Sequence, residues 1–417
     1  MINFDMGYAL SEKRSVLNFR SFLWHAVFLA LASNFMDIDT VIPAMLIQAG
    51  GNSFHLGILT AILLGGSSFF QLFFASYLSN KQFKKKYLLT AINLRIFSLF
   101  ALSFLFYYSS GLKTDLIIAF IFIIISFFAV SGSFANISYM DIFGKSIKQE
   151  KRKKFFTLKE SITSIGVFLS ALVVRELLKR YSYPSNYGLL FFIAAILLLV
   201  ASLGFWQIRE VRSQVKSQTD LIKFFKEIPS IIKMNSNLKY YLILINIFGL
   251  AMSLLPFLIL FAKENFELSD KMIGNFLVFR ITGMVVSGMV FYKLAHKVNY
   301  KFMIKSASIV GAAIPIVSLF LIQYEAYYQL LFLLSGFFVS VYKISKSGIL
   351  VEISTVENRA TFTGISGAGD LVSMIFPLIA GALISYFSFQ SIFIFVSVFV
   401  LSGFFVANKL NCSNTLN

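Results

Sequence analysis

Runs of about 20 apolar residues recur from one end of this chain to the other, and each is long enough to cross the hydrocarbon core of a bilayer as a helix. Twelve are legible. The first six are Trp24–Leu46, Leu56–Leu78, Tyr87–Tyr108, Leu116–Tyr139, Phe155–Val174 and Tyr187–Gln207. The second six are Tyr241–Phe261, Met272–Phe291, Phe302–Ile322, Tyr328–Lys346, Phe362–Tyr386 and Ile392–Lys409. Lipid supplies no hydrogen-bond partners, so a spanning segment must be a helix or part of a closed barrel. Barrel strands are about ten residues long and alternate apolar with polar side chains. The runs here are twice that length and do not alternate. An all-α polytopic membrane protein with twelve transmembrane helices is therefore expected, with the lipid bilayer as its surroundings. Composition agrees: only 13% of residues are charged, about half the share of a soluble domain.

The formal net charge is +18. On a soluble domain such a charge would point to nucleic acid. Here no basic and aromatic module lies outside the apolar runs, so no nucleic-acid partner is expected. The basic residues are instead sorted by side. One set of connections carries Lys81, Lys84, Lys85 and Lys86, then Lys145, Lys148, Lys151, Arg152, Lys153 and Lys154. The stretch after the sixth run adds Arg209, Arg212, Lys216, Lys223, Lys226, Lys233 and Lys239. The other side has Lys113, Arg175, Lys179, Arg180, Lys263 and Lys271. Lysine and arginine are retained on the cytoplasmic face. Both termini are thus expected in the cytoplasm, with the chain in the cell's cytoplasmic membrane. The first twenty residues are polar and the first run is too long for a signal core, so a retained helix rather than a cleaved signal is expected.

The longest polar interruption, Ile208–Lys239, divides the runs six and six. It sets three expected regions: an N-terminal six-helix bundle over 1–207, a cytoplasmic linker over 208–239 and a C-terminal six-helix bundle over 240–417. Leu221–Ile232 within the linker is amphipathic. It fits either a linker helix packed under the bundle or one lying on the membrane surface. The single cysteine, Cys412, rules out an intrachain disulfide and a cysteine metal site. His25, His55 and His296 are far apart in sequence, and neither metal nor cofactor is expected.

A weak internal repeat accompanies the six-and-six division. Ser76-Tyr-Leu-Ser-Asn80-Lys81-Gln-Phe83-Lys84-Lys85 follows the second run, and Tyr292-Lys-Leu-Ala-His296-Lys297-Val-Asn299-Tyr300-Lys301 follows the eighth. Arg152-Lys-Lys-Phe155 precedes the fifth run, and Arg359-Ala-Thr-Phe362 the eleventh. Pro43 in the first run is matched by Pro256 in the seventh. All three pairings have an offset of roughly 210 residues. On these features the chain resembles the major facilitator superfamily along nearly its whole length. The family signature between helices two and three is Gly-x-x-x-Asp-Arg-x-Gly-Arg-Arg, and this chain has Ser76, Asn80, Lys81, Phe83, Lys84 and Lys85 at those six positions. The basic residues match, while both glycines and the acid do not.

The resemblance implies two six-helix bundles rocking about a midplane site, and a structural or gating role for Asn80, Lys81, Lys84, Lys85 and Arg359. In the family the signature acid latches the bundles through the N-terminus of helix eleven. Neutral Asn80 forgoes a charge–dipole contribution of about 0.3–1 kcal/mol. The family's moving helices two, five, eight and eleven carry small residues here: Gly57, Gly65 and Gly66; Gly166; Gly283 and Gly288; and Gly364, Gly367, Gly369 and Gly381. Small residues let helix backbones approach closely.

Charges within the runs are the main functional candidates, because each costs at least about 2.5–3.5 kcal/mol near the bilayer centre. In the first run, Asn34 and Asp37 share a helix face. Asp37 and Asp39 project about 200° apart, so both face one cavity only if Pro43 distorts the helix. Asn34 with Asp37 is expected to face a cavity, with Asp39 near the outer surface or an interface; both acids capping a shorter helix is the alternative. Arg95 and Arg280 each lie about nine residues into a run. Either can hold an anion or gate. Either can also form an ion pair, Arg95 with a helix-one acid or Arg280 with Asp370. For Arg95 a structural role is favoured, because the family's third helix is mostly peripheral. Asp370 follows the small-residue stretch Gly364–Gly369 and is a proton-site candidate. Lys343, Glu352 and Glu160 are expected at the interface. Ser133 and Asn136 give the fourth run a polar face, and Asn246, Ser253 and Pro256 do so for the seventh.

The expected function is secondary active transport of a small molecule by alternating access, coupled to protons through Asp37 or Asp370. No phosphate-binding Gly-x-x-x-x-Gly-Lys-Ser/Thr occurs, so ATP drive within the chain is not expected. The arginines favour an anionic or zwitterionic substrate. A uniporter, an exporter of drugs or amphiphiles, or a lipid flippase or scramblase would have a similar sequence. A membrane enzyme would need a polar catalytic cluster, and none stands out, so no catalytic residue is assigned. A monomer is expected.

Overall fold

The computed structural model describes residues 11–79, 81–211, 221–294, 297–354 and 358–410. Asn80, Arg212, Lys216, His296 and Cys412 lie outside the described residues, as do the side chains of Ser76, Lys153, Glu160, Lys223 and Arg359. Sixteen α-helices follow one another among the described residues: α1 (Glu12–Ser33), α2 (Val41–Gln48), α3 (Ser53–Ser79), α4 (Lys85–Tyr107), α5 (Thr114–Ser146), α6 (Gln149–Arg180), α7 (Ser185–Gln207), α8 (Leu221–Met234), α9 (Ser236–Leu254), α10 (Phe257–Asn265), α11 (Asp270–Lys293), α12 (Tyr300–Leu321), α13 (Glu325–Tyr328), α14 (Leu330–Glu352), α15 (Arg359–Ala368) and α16 (Val372–Asn408). Among the described residues there is no strand. Each of the twelve apolar runs falls on this helical framework. Nine segments among the described residues are long and apolar enough to cross a membrane, and one of them, Thr361–Asn408, covers the last two runs.

Three runs read as continuous are interrupted, and each interruption has a local cause. The first breaks at Asp37–Thr40, between a 3₁₀ turn over Asn34–Met36 and the start of α2. Aspartate and threonine compete for backbone hydrogen bonds and so favour such sites. Pro43 lies in the first turn of α2, where a missing N–H leaves no helical bond unmade. The seventh run breaks at Leu255 and Pro256, which separate α9 from α10. The eleventh breaks at Gly369–Leu371, between α15 and α16. The expectation that Asp37 and Asp39 project about 200° apart on one helix is therefore corrected, because the backbone linking them is not helical.

The chain divides into two compact units. One comprises Met1–Asp37 with Phe69–Lys223, the other Ile38–Ser68 with Phe224–Asn417. In the first unit α1 packs on α6 and α7, and α4 packs on α5 and α7. In the second, α9 packs on α16, and α12 on α14 and α16. Helix for helix, these are the same neighbours. The first run contacts the sixth as the seventh contacts the twelfth, and the third contacts the fourth and sixth as the ninth contacts the tenth and twelfth. Phe22, Phe155, Phe191 and Phe205 are fully buried in the first unit, as are Phe248, Phe276 and Phe332 in the second. Phe97, Phe104, Phe320 and Phe405 are mostly exposed, as lipid-facing side chains would be.

Candidate functional site

In the second unit the break in the first run places Asp39 against Arg280 of α11 as an ion pair. Only 3% of Asp39 and 4% of Arg280 is exposed. Desolvating two charges is costly, and their attraction offsets that cost only when the geometry is good. Packing beside the pair is close: a Cβ on Gly336 of α14 would collide with the Arg280 carbonyl oxygen. More polar contacts follow along the same stretch of chain. Gln48 Nε2 donates to Asp270 Oδ1 at 2.8 Å. Lys263 Nζ donates to the Ile47 carbonyl at 2.8 Å, placing a cation at the C-terminus of α2, where the helix dipole favours it. Ser53 and Ser385 share a hydrogen bond of 3.0 Å. Gly57 lies against the Pro377 carbonyl and Gly381. Residues Ile38–Ser68 are thus fastened to α10, α11 and α16 by charge, hydrogen bonds and backbone contact.

The break between α15 and α16 makes a second polar centre in the same unit. Asn246 of α9 bridges it: its amide donates to the Gly369 carbonyl at 2.7 Å, and its Oδ1 accepts from the Val372 N–H at 3.0 Å. One side chain therefore satisfies an orphan carbonyl and an orphan amide of the two helix ends. Asp370, inside the break, accepts from Lys346 Nζ at 2.8 Å and from Ser373 Oγ at 2.6 Å. Lys346 also lies 5.8 Å from the Tyr342 ring centre. Tyr241 joins the same cluster, bonding to the Lys346 carbonyl and to Ser366 Oγ. The side chains of Asp370 and Lys346 are 13% and 31% exposed, so both can be reached from outside the bundle.

These contacts reassign two expected partnerships. Arg280 is paired with Asp39, not Asp370, because the helix break turns Asp39 towards α11 while Asp370 meets Lys346. Asn34 does not face a cavity with Asp37. It is 2% exposed, and its amide donates to the Val167 carbonyl and to Ser170 Oγ, tying the end of α1 to α6. Asp37 is half-buried at the end of the first unit. Ser253 bonds back to Gly249 within α9, and Ser133 to Ala129 within α5. Of the glycines on the expected moving helices, Gly57, Gly65, Gly283 and Gly381 meet neighbouring helices closely, whereas a Cβ on Gly66, Gly288 or Gly367 would meet nothing within 4 Å among the described residues.

In the first unit the signature lysines join a charged network. Lys84 Nζ contacts Asp141 at 2.6 Å, and Lys145 contacts both Asp141 at 2.9 Å and Glu210 at 2.7 Å. Glu210 accepts from the backbone N–H groups of Lys84 and Lys85, a carboxylate at the N-terminus of α4, where the helix dipole favours it. Lys85 Nζ reaches the Trp206 and Ile208 carbonyls at the end of α7, and Lys81 lies over Tyr77. Glu12 pairs with Lys148 and Lys151, and its carboxylate raises the Lys148 ammonium above the ordinary lysine value. Arg95, expected to pair with a helix-one acid, has no carboxylate partner among the described residues. It stacks on Phe128 at 4.2 Å and lines a cavity with Asn136.

Sequence reasoning missed Lys346, Asp141 and Glu210. Lys346 stands one turn after Lys343 and reads as another interfacial lysine until α15 ends beside it. Asp141 and Glu210 flank basic clusters, a cue that opposite charges would meet there.

A family model described as Major Facilitator Superfamily matches residues 27–327 and 241–410. No curated protein matches the chain significantly. Solved structures with a similar fold include a POT family transporter in complex with 5-aminolevulinic acid, at TM-score 0.68 and 11% identity over 94% of this chain and 96% of that one. The POT family transporter PepTSo is similar at TM-score 0.67 and 11% identity, over 94% and 97% of the two chains. The nucleoside transporter NupG is similar at TM-score 0.65 and 13% identity, over 95% and 98%. At such identities the likeness is one of fold.

Proposed function

This chain belongs to the major facilitator superfamily, and from that premise we propose a proton-coupled secondary transporter of a small molecule that works by alternating access. The observation that carries the coupling is the charged helix break: Asp370 lies between α15 and α16 and is held by Lys346 and Ser373. A carboxylate facing an ammonium in a low-dielectric setting is stable as a pair. Protonating it removes the pair's attraction and leaves the lysine charge uncompensated. Interrupted helices with polar side chains in the gap are where transporters of many folds place ion sites. The fold shared with POT family and nucleoside transporters supports the reading.

The Asp39–Arg280 pair and the contacts around it act as one gate in this scheme. They fasten the Ile38–Ser68 stretch to C-terminal helices, and opening at that end requires their separation. The sorting of its basic residues supports placement in the cytoplasmic membrane with both termini inside. The test is accumulation of solutes from a labelled metabolite mixture by proteoliposomes under an imposed pH gradient. Wild-type protein should accumulate a solute only with the gradient. Asp370→Asn should lose that accumulation yet retain exchange of the same solute at equal pH. Gradient-driven accumulation undiminished in Asp370→Asn would sink the assignment.

A further inference from the structure

The first unit contains a polar feature that neither the gate nor the proton site uses. A cavity of about 360 Å³ lies among α1, α4, α5, α6 and α7. Its polar lining is Arg95 from α4, Asn136 and Tyr139 from α5, Lys159 and Thr163 from α6, and His25 and Ser33 from α1. Two cations face it, and no Asp or Glu is among its described lining residues. The Arg95 guanidinium rests on the Phe128 ring, and its Nε is buried with no hydrogen-bond partner among the described residues. Gly132 leaves room beside it: a Cβ there would stand 3.6 Å from Arg95 Cζ.

Arginine does not discharge, so burial leaves its charge in place. An anion entering the cavity compensates that charge. The planar guanidinium fork matches a carboxylate or phosphate through two parallel hydrogen bonds, and lysine supplies a further donor. The remaining wall is flat and largely apolar, with His25 stacked on Phe205 at 3.8 Å. The volume lies at the small end of ligand sites, which span about 300–1,000 Å³.

We propose that Arg95 and Lys159 bind the carboxylate or phosphate group of a small organic anion that this transporter carries, with the solute's apolar part against the His25–Phe205 wall. That the anion is carried rests on the transport reading above; that it binds does not.

The test is thermal unfolding of the purified full chain in detergent with benzoate and phenyl phosphate as probes. Benzyl alcohol and benzylamine serve as neutral and cationic counterparts. At least one anion should raise the unfolding temperature saturably, and the two anions separate a carboxylate site from a phosphate site. The counterparts should not raise it. Arg95→Gln should abolish the rise, and Lys159→Gln should weaken apparent affinity by about tenfold or more, as loss of one charge-assisted hydrogen bond implies. If Arg95→Gln does not fold, Ala135→Leu, which fills the cavity without touching a charge, should abolish the rise instead. No saturable rise with either anion, or a rise untouched by Lys159→Gln and Ala135→Leu, overturns the proposal. Anion-dependent stabilisation without pH-driven accumulation would retain the site and reject the transport reading. Accumulation without anion binding would do the reverse.

Discussion

Arg280 and Asp39 are each almost wholly enclosed, so neither charge can turn to water when its partner is lost. Removing one member of such a pair typically costs about 3–5 kcal/mol, because the other is left buried and uncompensated. Arg280→Gln and Asp39→Asn should therefore each lower the unfolding temperature strongly. The double substitution should cost less than the sum of the two, since it leaves no orphan charge. Strict additivity in thermal unfolding of the purified variants would show that the pair is not coupled. Asn246 offers a neutral counterpart. Its amide makes two hydrogen bonds across the α15–α16 break, and Asn246→Ala should destabilise by about 1–3 kcal/mol through the groups left unsatisfied. A denaturation midpoint equal to that of the wild type would exclude this bridging role.

At the scale of elements, the close approach of α11 and α14 depends on there being no side chain at Gly336. A methyl group there meets the Arg280 carbonyl, part of a backbone that cannot turn aside. Gly336→Ala should separate the helices and destabilise by about 1–3 kcal/mol, the usual cost of overpacking, read as a lowered unfolding temperature. The turn inside α16 presents the opposite case. Ser388 has φ 77° and ψ 158°, a region that costs a residue with a side chain about 1–3 kcal/mol and suits glycine. Ser388→Gly should raise the unfolding temperature, and a fall would show that the serine makes a compensating contact. The broken first, seventh and eleventh runs show how much of element structure is local. Pro43 and Pro256 mark two breaks in the sequence itself. The third contains no proline, and its stop at Gly369 depends on Asn246 from another helix.

For the whole molecule, orientation is the property that charge distribution governs. With the native cysteine removed as Cys412→Ser, single cysteines at Lys113 and Lys154 report the two sides, and both positions are exposed. A membrane-impermeant maleimide applied to intact cells should label Lys113→Cys directly and Lys154→Cys only after permeabilisation. The reverse pattern would invert the proposed topology. The six-and-six division rests on one polar interruption and three weak pairings in the sequence, whereas the compact units divide the chain differently, Ile38–Ser68 going with Phe224–Asn417.

By itself the sequence determined the class, the number of apolar runs and their helical nature, because the bilayer imposes length and backbone self-satisfaction on any segment that crosses it. It also marked the charges that needed an explanation. Only the tertiary structure decided their partners. Asp39 found Arg280 because the backbone unwinds at Asp37–Thr40. Asp370 found Lys346 because α15 stops beside α14. Arg95 meets no acid among the described residues and lines a cavity with Lys159. Periodicity reports which face of a regular helix a residue occupies, and each of these outcomes depends on an interruption of that regularity or on a contact between helices far apart in the chain.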